Sequence, residues 1–229
     1  MNIAIDCFKL VKGAGKSIGI YNLAHNLVRN LARHMPSESV SLFVFGTDQN
    51  REDFDIPGVN FVEIEKYDPL NKIHAVLWEL FFVSSWCKRY KIDRILFPRG
   101  YCALTHPAYD IIIIHDLIPF YYNENYPGYF NRFENFYIMN RLRGSARFCK
   151  KILTISDFSK NDILNRFRLN ENKISVIHNG INDIRISAGK RAGDYICAIT
   201  SAMPHKNASG IIAAYKEASG MMVGSMPVP

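Results

Sequence analysis

The stretch YDIIIIHDLIP, residues 109–119, decides the fold class. Four consecutive isoleucines, Ile111 to Ile114, leave no polar face, so a strand here is covered on both sides, as in a parallel sheet flanked by helices. A half-solvated antiparallel strand would alternate apolar and polar residues instead. The run ends abruptly at His115-Asp116. Polar side chains at the carboxyl end of a parallel strand stand beside the crevice where α/β proteins bind ligands, which makes this pair the first candidate site. His115 can donate a hydrogen bond to a ligand hydroxyl or a backbone carbonyl, and Asp116 can orient it or cap the local turn. The same two residues also fit a satisfied structural pair.

Working outward, NIAIDCF at 2–8 opens the chain with a buried strand over 2–7, followed by a glycine-containing loop at 12–19 and an apolar-periodic helix over 20–31. Further strands are expected at 40–46, 60–65 and 93–98, with a helix-forming stretch at 71–89 that has enough apolar residues to cover a sheet. Beyond the isoleucine run, a helix covers about 128–147 and a strand 151–155. Ser156 or Asp157 then caps a helix that continues to 167, because either side chain can accept unpaired backbone N–H groups. A strand at 173–178 ends at the turn signal Asn179-Gly180. The fold class is therefore α/β, a Rossmann-like parallel sheet with helices on both faces. Residues 1–181 form this domain, 182–193 an interdomain linker, and 194–229 the start of a second domain with a strand at 194–200 and a helix at 204–218.

Composition narrows the chemistry. The 229 residues carry a formal charge of +7, which attracts anions, but no nucleic-acid recognition module accompanies it and no nucleic-acid partner is expected. The five cysteines are scattered without a CxxC pair, and His106, His115, His178 and His205 have no ligand spacing, so reduced buried thiols and no metal site are expected. Neither a signal peptide nor a run of about 18 apolar residues is present, so the expected location is cytoplasmic, with peripheral contact at the inner membrane face left open. The loop GAGKS at 13–17 is neither a P-loop, since position 10 is Leu, nor a dinucleotide fingerprint, since position 18 is Ile. Its glycines still allow close backbone approach, and the helix that follows offers free N–H groups to an anion. The aromatic cluster from Phe120 to Phe130 reads mainly as packing. The basic run Arg141, Arg143, Arg147, Lys150 and Lys151 reads at least as readily as a solvated helix end as it does as a contact for anionic lipid or nucleic acid.

In order along the chain, SIGIYNLAHNLVRNL at 17–31, VLWELFF at 76–82, DRILFPRGYCAL at 93–104, HDLIPFYYNENYP at 115–127, ILTISDFSKNDI at 152–163, ISVIHNGI at 174–181 and YICAITSAMPHKNASGIIAAYKEA at 195–218 resemble the N-terminal domain of the family 4 retaining glycosyltransferases. That resemblance implies the N-terminal half of a GT-B architecture, two facing Rossmann-like domains. It implies transfer of a sugar from a nucleotide-sugar donor, with retention of configuration, to a polysaccharide, lipopolysaccharide or glycolipid acceptor. It places His115 against the donor sugar with Asp116 as its companion, Gly15, Lys16 and Gly19 in the loop near phosphates or acceptor, and Asn179-Gly180 at the end of the domain. Ser17 stands where the family often has glycine, and Ile20 where it often has arginine.

The resemblance implies no cofactor and no metal, with the nucleotide sugar as substrate. The family's second domain brings a basic diphosphate-binding patch and an E-x7-E pair; neither can be placed in this sequence, and Glu79 and Glu134 are not substitutes by motif. A leaving diphosphate needs positive groups and N–H donors beside it, and a cleft needs two walls to exclude water. The expectation is therefore an N-terminal portion, inactive alone, that a complementary C-terminal domain completes. The competing reading is a non-catalytic acceptor-binding or protein-assembly domain.

Overall fold

Ile112 and Ile114 are buried among Ala4, Ile95 and Ile152 on one side of a parallel sheet, while Ile113 faces Ile5, Val44 and Leu96 on the other. The computed structural model describes residues 1–14, 18–36, 38–105, 108–180 and 197–218. The chain divides into two compact units, Met1–Ile181 and Asn182–Pro229.

In the first unit the strands are β1 (Asn2–Asp6), β2 (Ser41–Gly46), β3 (Asn60–Glu63), β4 (Arg94–Phe97), β5 (Tyr109–Ile113), β6 (Lys151–Thr154) and β7 (Ile174–Val176). All pair in parallel, in the order β3-β2-β1-β4-β5-β6-β7. The helices are α1 (Ile18–His34), α2 (Arg51–Phe54), α3 (Lys72–Leu77), α4 (Val83–Arg89), α5 (Ile118–Asn125), α6 (Arg132–Phe148) and α7 (Asp157–Phe167). α1 buries Tyr21, Ala24 and Val28, spaced three and four apart, against β1 and β2. The opposite core takes Trp78, Val83 and Cys87, then Leu142 and Ala146 of α6 and Ile163 and Phe167 of α7. The helices thus cover both faces of one parallel sheet.

The order matters for function. Successive strands step one way from β1 to β3 and the other way from β4 to β7, so β1 and β4 are neighbours at which the winding reverses. The helices that follow β1 and those that precede β4 lie on opposite faces, which leaves a crevice at the carboxyl ends of these two strands.

Three sequence expectations shift. The strand at 109–119 ends at Ile113, and α5 begins at Ile118 with Pro119 in its first turn, where the missing N–H costs no helical bond. The helix expected from about 128 begins at Arg132, because Asn131 caps it by accepting from the N–H groups of Phe133 and Glu134. In the second unit, residues 194–196 of the strand expected at 194–200 lie outside the described residues, and residues 197–200 are exposed and not in a strand. Cys197 is accordingly exposed, whereas Cys7, Cys87, Cys102 and Cys149 are buried as free thiols. The expected helix forms there as α8 (Ala208–Ala218), after a single turn at Pro204–Lys206. The linker at 182–193 lies outside the described residues.

Candidate active site

His115 follows β5 and is held from two sides. Its Nε2 lies 3.0 Å from the carbonyl oxygen of Pro98, just past β4, and its own carbonyl accepts the Ser159 hydroxyl at 3.0 Å. A carbonyl only accepts, so the Pro98 contact puts the proton on Nε2 and leaves Nδ1, in the neutral ring, as an acceptor. Ser159 is fixed in turn because Ser156 caps α7, accepting the Ser159 N–H at 3.1 Å. Of the two expected caps, Ser156 is the one used. Asp116 is exposed, and its Oδ1 accepts from the Ile118 N–H at 3.1 Å. It caps the turn into α5, while Pro98 and Ser159 orient the histidine.

Beside Pro98 the crevice of β1 and β4 narrows to a small pocket of about 10 Å³, room for about one water, lined by Asp6, Lys9, Trp78, Glu79, Arg99 and Tyr101 among others. Asp6 and Arg99 are the first charged residues past the apolar runs of β1 and β4. Trp78 and Glu79 arrive together because the chain between α3 and α4 winds as a π-helical turn over Trp78–Phe82. Such wide turns recur at functional sites. Trp78 stacks on Phe8 with ring centroids 4.9 Å apart and donates its indole N–H to Asp6 Oδ1 at 3.0 Å.

The pocket's charges are shielded from water. Burial pushes the Asp6 carboxyl up from 3.8 to about 6, against the lowering effect of the Trp78 hydrogen bond. Burial, then the Arg99 charge, lowers the Lys9 ammonium below its ordinary value. Glu79 is 8% exposed and lies between Arg99 and Arg141, each 3.9 Å away. Its Oε1 is buried and has no hydrogen-bond partner among the described residues. Desolvating a carboxylate oxygen without a hydrogen bond is costly, and the two flanking guanidinium groups offset that cost. Arg141 also donates to the Cys102 carbonyl at 2.8 Å. With its charged groups ionised, the pocket lining sets Lys9 and Arg99 against Asp6 and Glu79, while Arg141 backs Glu79 from behind, a polar surface suited to a polyhydroxy ligand.

Of the other expected site residues, those that the structure describes lie apart. Gly15 and Lys16 lie outside the described residues. Gly19 sits in the first turn of α1, where a Cβ would meet nothing within 4 Å, so packing does not require a glycine there. Asn179 and Gly180 are exposed past the end of the edge strand β7, two strands beyond β5. The basic run also separates: Arg141 turns inward to Glu79, Arg143 stacks 5.7 Å over Phe120, Lys151 donates to the Asn172 carbonyl, and Arg147 and Lys150 remain exposed. In the aromatic cluster Phe120 and Tyr122 are buried, and Tyr122 contacts Tyr126, Tyr129 and Phe130. Among the described residues no group of three or more His, Cys, Asp or Glu gathers as a metal site, and no helix is long and apolar enough to cross a membrane.

Comparison with known proteins adds the following. The sequence pattern of Glycosyltransferase Family 4 matches residues 24–185, more than half of the chain. The O-antigen chain mannosyltransferase RfbU of Salmonella typhimurium is 32% identical over 101 residues, 44% of this chain and 27% of that protein. Among solved structures, a glycosyltransferase from Rickettsia africae is similar at 14% identity with a TM-score of 0.44, over 79% of this chain and 43% of that one. The sucrose-phosphate synthase of Thermosynechococcus elongatus is similar at 13% identity with a TM-score of 0.48, over 80% and 49%. The chain thus spans about a quarter of the curated relative and under half of these solved chains. By the extent of the family match, the chain belongs to glycosyltransferase family 4.

Proposed function

We propose that this chain forms one wall of the active site of a retaining glycosyltransferase, which moves a hexosyl group from a nucleotide sugar to a polysaccharide, lipopolysaccharide or glycolipid acceptor. The observation that carries the reading is His115, held by Pro98 beside the polar pocket of β1 and β4, in a chain of this family. In the reaction the bond from the anomeric carbon to the donor phosphate oxygen breaks, and a bond to the acceptor oxygen forms on the same face. The acceptor's hydroxyl proton passes to the departing phosphate oxygen, so no protein base is needed. His115 Nδ1 accepts from a donor-sugar hydroxyl, and the fixed ring orients the anomeric carbon. Lys9 and Arg99 supply positive potential where charge develops on the leaving group. Asp6 and Glu79 accept hydrogen bonds from acceptor hydroxyls, and Asp116 keeps the chain turn behind His115.

In this reading Gly15, Lys16 and Gly19 border the phosphates or acceptor, and Asn179-Gly180 marks the passage to the next domain. The facing wall and most diphosphate contacts come from a complementary C-terminal domain. The test is transfer of radiolabelled sugar from a panel of nucleotide sugars to glycan and lipid-linked acceptors, by this chain alone and with a family 4 C-terminal domain added. Donor-dependent product that falls about 100-fold or more in His115→Ala, with folding unchanged, is expected. Full transfer by that variant would remove His115 from the site.

A second reading, acceptor binding without transfer, is favoured by the Asp6 and Glu79 carboxylates in the pocket lining, which acceptor hydroxyls can hydrogen-bond without a nucleotide. Saturable acceptor binding with no response to any nucleotide sugar, in the presence of the added domain, would select it.

A further inference from the structure

α4 ends in a turn that a lysine is poorly suited to make. The Lys91 N–H donates to the Lys88 carbonyl at 3.2 Å and the Ile92 N–H to the Cys87 carbonyl at 2.9 Å, the paired closure in which the residue past the cap turns left-handed. Lys91 has φ +49 there, where glycine is the usual residue because a Cβ crowds the backbone. A side chain kept against that cost points to a use for its charge. Lys88, Arg89, Lys91 and Arg94 lie within seven residues, are all exposed, and form no ion pair among the described residues. Asp93 is the one acidic residue among them, and its carboxylate accepts the Asn2 N–H at 2.7 Å. Arg89 Cζ stands 5.3 Å from the Trp86 ring centre and 5.8 Å from that of Tyr90, and Arg94 Cζ stands 4.8 Å from that of Tyr109. Stacking of this kind orders a guanidinium through its face and leaves its N–H edges to bind.

This turn leads into the first residue of β4, so it stands at the amino end of the sheet, opposite the crevice that follows Phe97. We infer that it docks an acidic segment of a partner protein, whose Asp and Glu carboxylates take the arginine forks in bidentate pairs and the lysine ammonium groups singly. Charge complementarity sets the sign of the partner, and the surface between the charges sets its class. From Val83 to Arg94 no large apolar side chain is exposed, so a bilayer would meet charge without a wedge to insert. Trp86 and Tyr90 stack on each other with centroids 5.9 Å apart beside Arg89, and Tyr109 lies under Arg94, so these rings are engaged rather than offered to bases or sugars. Four cations around one turn are also fewer than the roughly six to ten phosphate contacts of a surface that tracks a nucleic-acid duplex. The inference does not depend on the transferase reading, since no sugar or nucleotide enters it.

The test is fluorescence anisotropy of a labelled glutamate octapeptide titrated with the full 229-residue chain, at low and high salt. Saturable binding is expected at low salt, and weaker binding at high salt. The double variant Arg89→Gln, Arg94→Gln should bind about 10-fold more weakly. The control Lys66→Gln, Lys72→Gln removes the same charge from exposed positions elsewhere and should stay within about two-fold of the unaltered chain. Lys91→Gly should bind about three-fold more weakly yet melt at a higher temperature, because glycine suits the left-handed turn. Absence of saturable binding at low salt, an equal loss in the two double variants, or unchanged binding by Lys91→Gly overturns the proposal. Tighter binding of a thymidine octanucleotide or of phosphatidylglycerol vesicles, lost in the arginine variant, overturns it in favour of nucleic acid or a membrane.

Discussion

Trp78 reaches from the π-helical turn to β1 and donates its indole N–H to Asp6 Oδ1 across 3.0 Å, which ties the helical layer to the strand end at the winding reversal. The carboxyl at this junction has its pKa raised from 3.8 to about 6, chiefly by burial. Between about pH 4 and pH 6 the folded chain therefore holds a proton that the unfolded chain has released, and stability falls as pH rises through this window. The loss approaches about 3 kcal/mol as an upper bound. Asp6→Asn should remove this dependence, with little change in melting temperature near pH 4 and a gain above pH 6. Thermal unfolding followed across this range checks it, and identical pH profiles for the two proteins contradict it.

Asn50 is 1% exposed and joins three pieces of backbone: its Nδ2 donates to the Cys7 and Leu10 carbonyls at 2.8 and 3.0 Å, and its Oδ1 accepts from Thr47 N–H at 2.9 Å. It thereby holds the loop after β1, which carries Lys9, in place. Asn50→Ala leaves these groups buried and unsatisfied, so a loss of about 3 kcal/mol in urea unfolding is expected, with faster amide exchange over residues 7–10. A loss under about 1 kcal/mol would show that water replaces the side chain.

Gly100 connects Arg99 to Tyr101 with φ +81, and a Cβ there would stand 3.2 Å from the Ile113 carbonyl oxygen and 3.2 Å from Leu142 Cδ2. Both the conformation and the space favour glycine. Gly100→Ala should cost about 1–3 kcal/mol and displace Arg99 from the pocket. Equilibrium unfolding measures the first effect, and a crystal structure with Arg99 unmoved would contradict the second.

Arg141 is the inner partner of Glu79, with side chains 12% and 10% exposed. Arg141→Met keeps most of the volume but removes the inner of the two arginines that pair with Glu79 and leaves the Cys102 carbonyl without this donor. A destabilisation of about 3 kcal/mol at neutral pH is expected, largely recovered by adding Glu79→Gln, because the unpaired charge is the main cost. A double-mutant cycle with no coupling would contradict this.

The sheet was legible because Ile111 to Ile114 and the other strands carry their burial in the pattern of apolar residues. His115 was legible because it is the polar residue that ends such a run. The same rule applied to Asp6 and Arg99 would have flagged them, since each follows an apolar strand as directly. Trp78 and Glu79 gave no such signal. They read as part of a covering helix, and only the π-helical turn and the adjacency of β1 and β4, strands separated by most of a hundred residues, bring them to the pocket. Asn50 was invisible for the same reason, since the two carbonyls it donates to are 43 and 40 residues away. The basic run at 141–151 was misleading as a unit, because helical geometry sends Arg141 inward and leaves Arg147 outside.

The most direct test of the central claim is a titration of the isotopically labelled, folded chain with nucleotide sugars and glycan acceptors, followed by amide chemical shifts. The account predicts saturable shifts centred on Lys9, Arg99, His115 and Asp116, reduced in His115→Ala. Saturable shifts that map elsewhere on the sheet, with these four residues unmoved by any donor or acceptor, would contradict it.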